Sequence, residues 1–353
     1  MTKAASLPPG SEPKTARAAT STLPVDLRQP PGAAVSSPPE LPGHADDIDT
    51  MQPLLRAALP AEARDARLVE IRCLRHKPGK RALLQYRLQQ AGHPDLLLIG
   101  KLRFKGADRH GFEVQRALYA QGFDMPGLSV PEALTLLPEQ RLWLQRQVPG
   151  TMATSLLRPG SDVALATRIG QAIASLHRAG VPTAKRWTLA DEMTMLEDRL
   201  LRAASLRPGL ATEIFAVLDG CTRLAARLPA NPFCGIHRDC YSDQILVDGD
   251  TLCWLDLDLY CEGDPALDAG NFIAHLTESA FRHQQDPLAM QAHEHAVQAA
   301  FIEHGTHRIP TESVAAWTTL SLARHVFLST QFPDRHHTTE ALIAHCLTRL
   351  SAF

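Results

Sequence analysis

The stretch HRDCYSDQ at residues 237–244 decides how the rest of the chain is interpreted. Two short β-like runs follow it, joined by Asp-Gly-Asp at residues 248–250, a combination that predicts a tight hairpin. The second run ends in Asp256, so the hairpin brings Asp239, Gln244 and Asp256 to one end of a two-stranded ribbon.

These three side chains supply what phosphoryl transfer requires. That reaction needs a carboxylate to orient the attacking hydroxyl and accept its proton, together with oxygen ligands that hold Mg²⁺ against the phosphates. Asp239 is the candidate base, Asp256 the main Mg²⁺ ligand, and the side-chain carbonyl of Gln244 a second ligand. The pattern predicts transfer of a phosphoryl group from Mg-ATP to a hydroxyl of a small molecule.

At these residues the chain resembles the aminoglycoside phosphotransferase and choline kinase-like superfamily, which has a protein-kinase-like fold. The superfamily pattern is H-x-D-x-x-x-x-N, then a second Asp, then G-D-P-x-x-D. Here Asp239 stands at the position of the catalytic base, and Asp256 corresponds to the metal-binding Asp of the protein-kinase D-F-G. The segment GDPALD follows at residues 263–268. The resemblance implies that Asp264 and Asp268 cap and brace the helix after the site.

The resemblance also implies a nucleotide-binding half upstream. Lys101 follows an apolar strand at residues 97–100, where a kinase-like third strand places its phosphate-binding lysine. Glu113, on the following helix, is the expected partner of this lysine. The turn at residues 76–80 occupies the place of the phosphate-covering loop, although it holds a single glycine, and residues 144–150 correspond to the hinge between lobes.

Gln244 departs from the family pattern, which has Asn at this position. Gln keeps the carbonyl oxygen but extends it by one methylene, about 1.5 Å, whereas Mg²⁺ requires oxygens at about 2.0–2.1 Å in near-octahedral geometry. Two interpretations therefore stand. The chain is an active small-molecule kinase, or it is a catalytically weak or dead nucleotide-binding scaffold, a pseudokinase.

Composition and periodicity predict an α+β, bilobal architecture. A Pro-, Ala- and Ser-rich tail at residues 1–46 is expected to be disordered, because it holds almost no large apolar residues. Residues 51–150 read as an antiparallel-sheet lobe with one helix after its third strand. Residues 151–353 read as a larger helical lobe, in which the hairpin after Gln244 is the exception.

Charge and cysteine usage narrow the function classes. Lys and Arg number 36 against 38 Asp and Glu, so no global field favours nucleic acid or an acidic membrane surface. No apolar run is long enough to cross a bilayer. Seven scattered cysteines without a C-x-x-C pair indicate reduced thiols and a cytoplasmic location.

The acceptor class stays open at the level of sequence. Four acids on one predicted helix could recognise a cationic acceptor such as an aminoglycoside or amino alcohol, or they form the solvated face of that helix; they are Asp191, Glu192, Glu197 and Asp198. A sugar or another neutral hydroxyl compound is the other expectation. His237 is expected to shape its loop by a buried hydrogen bond, and Asp258 either assists Asp256 or faces solvent.

Overall fold

The structure is a computed structural model that describes residues 41–125, 127–305 and 307–353. The strands are β1 (Arg67–Lys77), β2 (Arg81–Gln89), β3 (Leu96–Arg103), β4 (Asp124–Met125), β5 (Leu128–Ser129), β6 (Ala133–Leu137), β7 (Leu142–Arg146), β8 (Thr151–Met152), β9 (Cys234–Ile236), β10 (Ile245–Asp248), β11 (Thr251–Trp254) and β12 (Cys261–Gly263). The helices are α1 (Ile48–Ala58), α2 (Arg109–Ala120), α3 (Ala153–Leu156), α4 (Ala164–Ala179), α5 (Leu189–Leu206), α6 (Ala211–Arg227), α7 (Pro265–Gln284), α8 (Gln291–His304), α9 (Thr311–Gln331) and α10 (Thr339–Ser351). The predicted α+β class, with a sheet-rich N-terminal lobe and a helical C-terminal lobe, is confirmed.

The N-terminal lobe is built on an antiparallel sheet with strand order β1-β2-β3-β7-β6. Leu84 of β2 and Leu98 of β3 are fully buried in one core with Met51 of α1, so burial of apolar side chains stabilises the packing of this helix on the sheet. Strand β3 carries Lys101 opposite Trp143 of β7, which places the lysine at the centre of the sheet.

Part of the segment that we assigned to the N-terminal tail is packed in this core. Leu41 and Ala45 are buried, and the Tyr86 hydroxyl donates a hydrogen bond to the Ala45 carbonyl at 2.8 Å. The ordered lobe therefore includes residues 41–46. The rest of the predicted tail, residues 1–40, lies outside the described residues.

The predicted hairpin forms from β10 and β11, with Asp248 paired to Thr251 across the turn and Gly249 at a φ of 54°. Glycine suits this left-handed position because it has no Cβ. A ribbon of β9 and β12 pairs Ile236 with Cys261 and so holds the start of the HRD segment beside the GDP motif. Our sequence interpretation missed this ribbon, since three-residue strands give almost no periodicity.

The helical lobe surrounds α7. Asp264 caps the N-terminus of α7 by accepting a hydrogen bond from the Ala266 amide at 2.9 Å, and Pro265 stands at the first helical position. Almost every residue of α7 up to Phe281 is buried, against α8, α9 and α10. No helix in the described ranges combines the length and the apolarity that crossing a membrane requires.

Gly270 lies at a close approach of α7 to α9. A Cβ at this position would lie 2.7 Å from the Thr318 amide nitrogen, which is backbone and has little freedom to move. We expect Gly270→Ala to lower the free energy of unfolding by about 1–3 kcal/mol in urea titrations, because the helices must separate. Gly209→Ala is the matched control, since nothing lies within 4 Å of its added Cβ. Equal stability of the two variants would contradict the close packing.

Candidate active site

The HRD loop, residues 237–240, is held by one buried carboxylate. Asp268 of α7 accepts hydrogen bonds from the backbone amides of His237 and Arg238, each at 2.7 Å. Arg238 adopts a left-handed backbone with a φ of 70°, which is unfavourable for a non-glycine residue. The two hydrogen bonds stabilise this conformation. Asp268 therefore braces the loop, whereas the resemblance implied that it would brace the helix.

The same region of α7 makes further contacts to the loop and to α4. Asn271, one turn after Asp268, donates its side-chain amide to the Cys240 carbonyl at 2.8 Å. His177 of α4 shares the Asp268 carboxylate, with its Nε2 2.9 Å from a carboxylate oxygen. Sequence reasoning missed Asn271 and His177. Helical spacing after Asp268 was the available signal for Asn271, whereas His177 had none.

The His237 side chain links the loop to the hairpin. It is fully buried, and its Nε2 donates a hydrogen bond to the Leu255 carbonyl at 2.9 Å. The Leu255 amide donates in turn to the backbone carbonyl of Gln244 at 2.8 Å. His237 thus shapes the loop, as the sequence predicted. These contacts hold His237 and the backbone of Gln244 beside the exit of the hairpin, where Asp256 has a φ of 55°.

Lys101 reaches from the N-terminal sheet to this exit. Its Nζ lies 3.0 Å from Asp256 and 2.6 Å from Asp258, and it stands 5.1 Å from the centre of the Trp143 ring. Burial alone would lower the pKa of Lys101, but the two carboxylates raise it above its ordinary value. Burial likewise opposes the charge of Asp256, whose pKa Lys101 nevertheless holds far below its usual range. Lys101 and Asp256 are therefore both ionised near neutral pH.

Asp258, which the sequence left undecided, is a buried member of this network. Its side chain is 8% exposed and binds Arg103 in addition to Lys101. Arg103 also lies 3.1 Å from Asp108, the N-cap of α2. The first turn of α2 approaches closely as well, since a Cβ on Gly111 would lie 3.0 Å from an Asp258 oxygen.

Glu113 does not reach Lys101, contrary to our expectation. It pairs with Arg109 on its own helix at 3.5 Å, and its side chain is 51% exposed. The buried face of α2 is occupied by Phe112, which packs on Trp143, and by Gln115. At 100° per residue Glu113 points away from that face. The carboxylate partners of Lys101 are instead Asp256 and Asp258, which follow the hairpin.

The two predicted metal ligands are both oxygen donors at the hairpin. Asp256 is ionised and one-third exposed, and Gln244 is buried. Within the described ranges no group of three or more His, Cys, Asp and Glu side chains has metal-binding geometry. An oxygen-only pair suits Mg²⁺, which keeps several waters and shares its coordination with substrate phosphates.

The four acids considered for a cationic acceptor do not act as one set. Asp191 belongs to the capping box of α5 with Thr188, and Asp198 pairs with Arg202 on the exposed side. Glu192 is buried and accepts a hydrogen bond from the Trp187 indole at 2.8 Å. Glu197 is exposed. Since two of the acids are engaged in local pairs and one is buried, the four do not form one acidic site.

A family model described as "Phosphotransferase enzyme family" matches residues 109–306, more than half of the chain. The chain belongs to this phosphotransferase family. The match spans the HRD loop, the hairpin and the GDP motif, and it begins after Lys101. No curated protein sequence matches the chain.

Solved structures with the same fold include kinases of small alcohols. A choline/ethanolamine kinase family protein from Mesorhizobium loti is 18% identical, with a TM-score of 0.56 over 86% of this chain and 98% of its own. Choline kinase from Cryptosporidium parvum is 12% identical, with a TM-score of 0.59 over 87% and 96%. At these identities the likeness shows the fold alone, and it confirms the predicted protein-kinase-like architecture.

An antibiotic-modifying enzyme has the same fold. A thermostable mutant of an aminoglycoside phosphotransferase, solved as a ternary complex with AMP-PNP and hygromycin B, is 14% identical to this chain. The TM-score is 0.51, over 81% of this chain and 93% of the other.

The His177–Asp268 contact predicts a pH dependence of stability. Burial disfavours the imidazolium, but hydrogen bonds to Asp268 and Cys234 raise the pKa of His177 from 6.5 to about 9. A raised folded-state pKa stabilises the protein fully below pH 6.5, and the contribution disappears as pH rises through 9. The contribution is about 3 kcal/mol at most.

We therefore expect His177→Gln to destabilise the protein more at pH 6 than at pH 9.5, as measured by urea unfolding at both values. His93→Gln, at an exposed turn, is the control and should show no such difference. An equal loss at both pH values would show that the imidazole is neutral when folded.

Proposed function

We propose that the protein transfers the γ-phosphoryl group of Mg-ATP to a hydroxyl of a small molecule. One observation carries the proposal: Lys101 from the sheet meets Asp256 from the hairpin next to an HRD loop whose backbone Asp268 fixes. Family membership supports phosphotransfer. The AMP-PNP and hygromycin B bound to the related aminoglycoside phosphotransferase support a nucleotide donor and a small-molecule acceptor.

Each side chain has a distinct role in the proposed reaction. Asp239 orients the acceptor hydroxyl and accepts its proton as that oxygen bonds to the γ-phosphorus. The bond from the γ-phosphorus to the β,γ-bridging oxygen breaks, and ADP leaves. Lys101 binds phosphate oxygens. Asp256 and the Gln244 carbonyl would hold Mg²⁺, which offsets the charge of the phosphates when bound.

The turn between β1 and β2 is proposed to cover the phosphates. It replaces the glycine-rich sequence with Lys77, Pro78, Gly79 and Lys80, and the Lys80 amide closes the turn on the Lys77 carbonyl at 3.0 Å. Burial and the neighbouring Arg81 and other cations lower the pKa of Lys77, which indicates a concentration of positive charge. In this proposal the lysine side chains of the turn bind the phosphates, whereas a glycine-rich loop would bind them with backbone amides.

The first test is an ATP-consumption screen across sugars, sugar acids, amino alcohols and aminoglycosides with Mg²⁺. We expect turnover with at least one acceptor, and we expect Asp239→Asn to lower kcat by about a hundred- to ten-thousand-fold while AMP-PNP affinity changes little. Full turnover by Asp239→Asn would contradict the assigned base. Tight nucleotide binding without consumption on any acceptor would contradict the enzyme and support the scaffold interpretation.

A second test compares the two candidate partners of Lys101. Asp258→Asn removes a buried partner of Lys101 and Arg103, and it should raise the KM for ATP at least about tenfold. Glu113→Gln removes only an exposed pair with Arg109 and should leave the KM nearly unchanged. Melting temperatures of both variants separate loss of positioning from loss of folding. A larger effect of Glu113→Gln would restore the partner expected from the family pattern.

A further inference from the structure

Three arginines from different elements of the helical lobe form a cluster, in which the charge of Arg324 acts on the other two and Arg238 directly precedes Asp239. Arg238 belongs to the HRD loop, Arg199 to α5 and Arg324 to α9. The charge of Asp239 acts on Arg199 and on Arg238. Lys101 reaches Asp256 from β3, in the sheet lobe. The arginine cluster thus belongs to the helical lobe, whereas the lysine proposed to bind the nucleotide phosphates comes from the other lobe.

One arginine of the cluster has fixed partners. The Arg324 guanidinium binds the Asn271 side-chain oxygen and lies 3.7 Å from Glu192. Glu192 also accepts the Trp187 indole hydrogen bond, and its charge acts on Arg199 and Arg238 without an ion pair to either among the described residues. Because Asn271 also holds Cys240, Arg324 connects α9 and α5 to the HRD loop. Its role is to build the wall of the site.

The other two arginines have donors without protein acceptors. Neither Arg199 nor Arg238 makes a side-chain hydrogen bond or an ion pair within 4.0 Å to any described residue. The Arg238 guanidinium lies over the Trp187 ring, with its Cζ 3.4 Å from the ring centre, a contact that uses none of its five N–H donors. Both side chains are partly buried. Partly buried cationic donors without a partner favour an anion as ligand.

The cluster also concentrates positive charge. Burial and the Arg324 charge lower the pKa of the Arg199 guanidinium, and burial likewise lowers that of Arg238. Two further buried groups nearby, His275 and His325, have pKa values well below 6.5 because of burial and surrounding arginines. The charges of Glu192 and Asp239 offset part of this positive charge. An anionic acceptor would relieve the repulsion that remains among the arginines, whereas a cationic acceptor would add to it.

We infer that the acceptor carries an oxyanion, a carboxylate or a phosphate, which Arg199 and Arg238 bind while Asp239 faces its hydroxyl. This inference rests on the proposed function and specifies its substrate class. The arginine fork matches carboxylate and phosphate oxygens alike, so the experiment distinguishes the two sources.

The test measures binding rather than turnover, so that it stands even if the phosphotransfer proposal fails. The protein is saturated with Mg-AMP-PNP and titrated calorimetrically with gluconate, glucose 6-phosphate, glucose, glucosamine and inorganic phosphate. We expect at least one anion to bind at least tenfold more tightly than glucose, and glucosamine to bind most weakly. Gluconate and glucose 6-phosphate show which oxyanion is preferred.

The variants assign the effect to the cluster. Arg199→Gln should weaken anion binding at least tenfold without changing AMP-PNP affinity more than twofold, and Arg199→Glu should reverse the preference toward glucosamine. Arg202→Gln, on the same helix but exposed and paired with Asp198, should bind anions like the unmodified protein.

Three results would overturn the inference. The first is that no anion, inorganic phosphate included, binds in an Arg199-dependent manner. The second is tightest binding of glucosamine to the unmodified protein. The third is that Arg199→Gln weakens AMP-PNP as much as the anions, which would assign Arg199 to the nucleotide. Failure of AMP-PNP to bind at all would instead contradict the proposed function, and the titrations without nucleotide would still test the cluster.

Discussion

The hydrogen bonds from the His237 and Arg238 amides to Asp268 are the constraint on which the rest of the site depends. They fix a left-handed residue directly before Asp239, and they tie the loop to a helix buried at the centre of the larger lobe. The same fully buried carboxylate also contacts His177, whose imidazolium compensates the negative charge of Asp268 inside the protein. Asp239 lies in a loop, but the backbone directly before it is held as firmly as a residue of the core.

Around this constraint the site divides into two electrostatic halves. On the sheet side two carboxylates, Asp256 and Asp258, surround Lys101 and are also close to Arg103. On the helical side Arg199, Arg238 and Arg324 form the arginine cluster, and the buried Glu192 already lies beside Arg324 and accepts the Trp187 indole hydrogen bond. This division agrees with the proposed chemistry, which needs a metal on one side of the transferred group and acceptor recognition on the other.

The sequence predicted much of this and for physical reasons could not predict the rest. The hairpin, the long helices and the central position of Lys101 follow from periodicity and turn chemistry, and these are local properties. The partner of Lys101 is not local: its choice between Glu113 and Asp258 depends on which face of α2 meets the sheet. Phe112 and Gln115 take that face, so Glu113 turns outward. The arginine cluster assembles from a loop and two helices distant in sequence, and no motif connects them.

The ion pairs of Lys101 also join the two lobes across the cleft. Lys101 belongs to the N-terminal sheet, whereas Asp256 and Asp258 belong to the C-terminal lobe, and Asp258 is nearly inaccessible to water. Separating the lobes would leave these charges unpaired in a poorly hydrated place. Salt screens such shielded contacts much less than surface pairs. The closed arrangement of the lobes is therefore expected to persist at high ionic strength and without ligand.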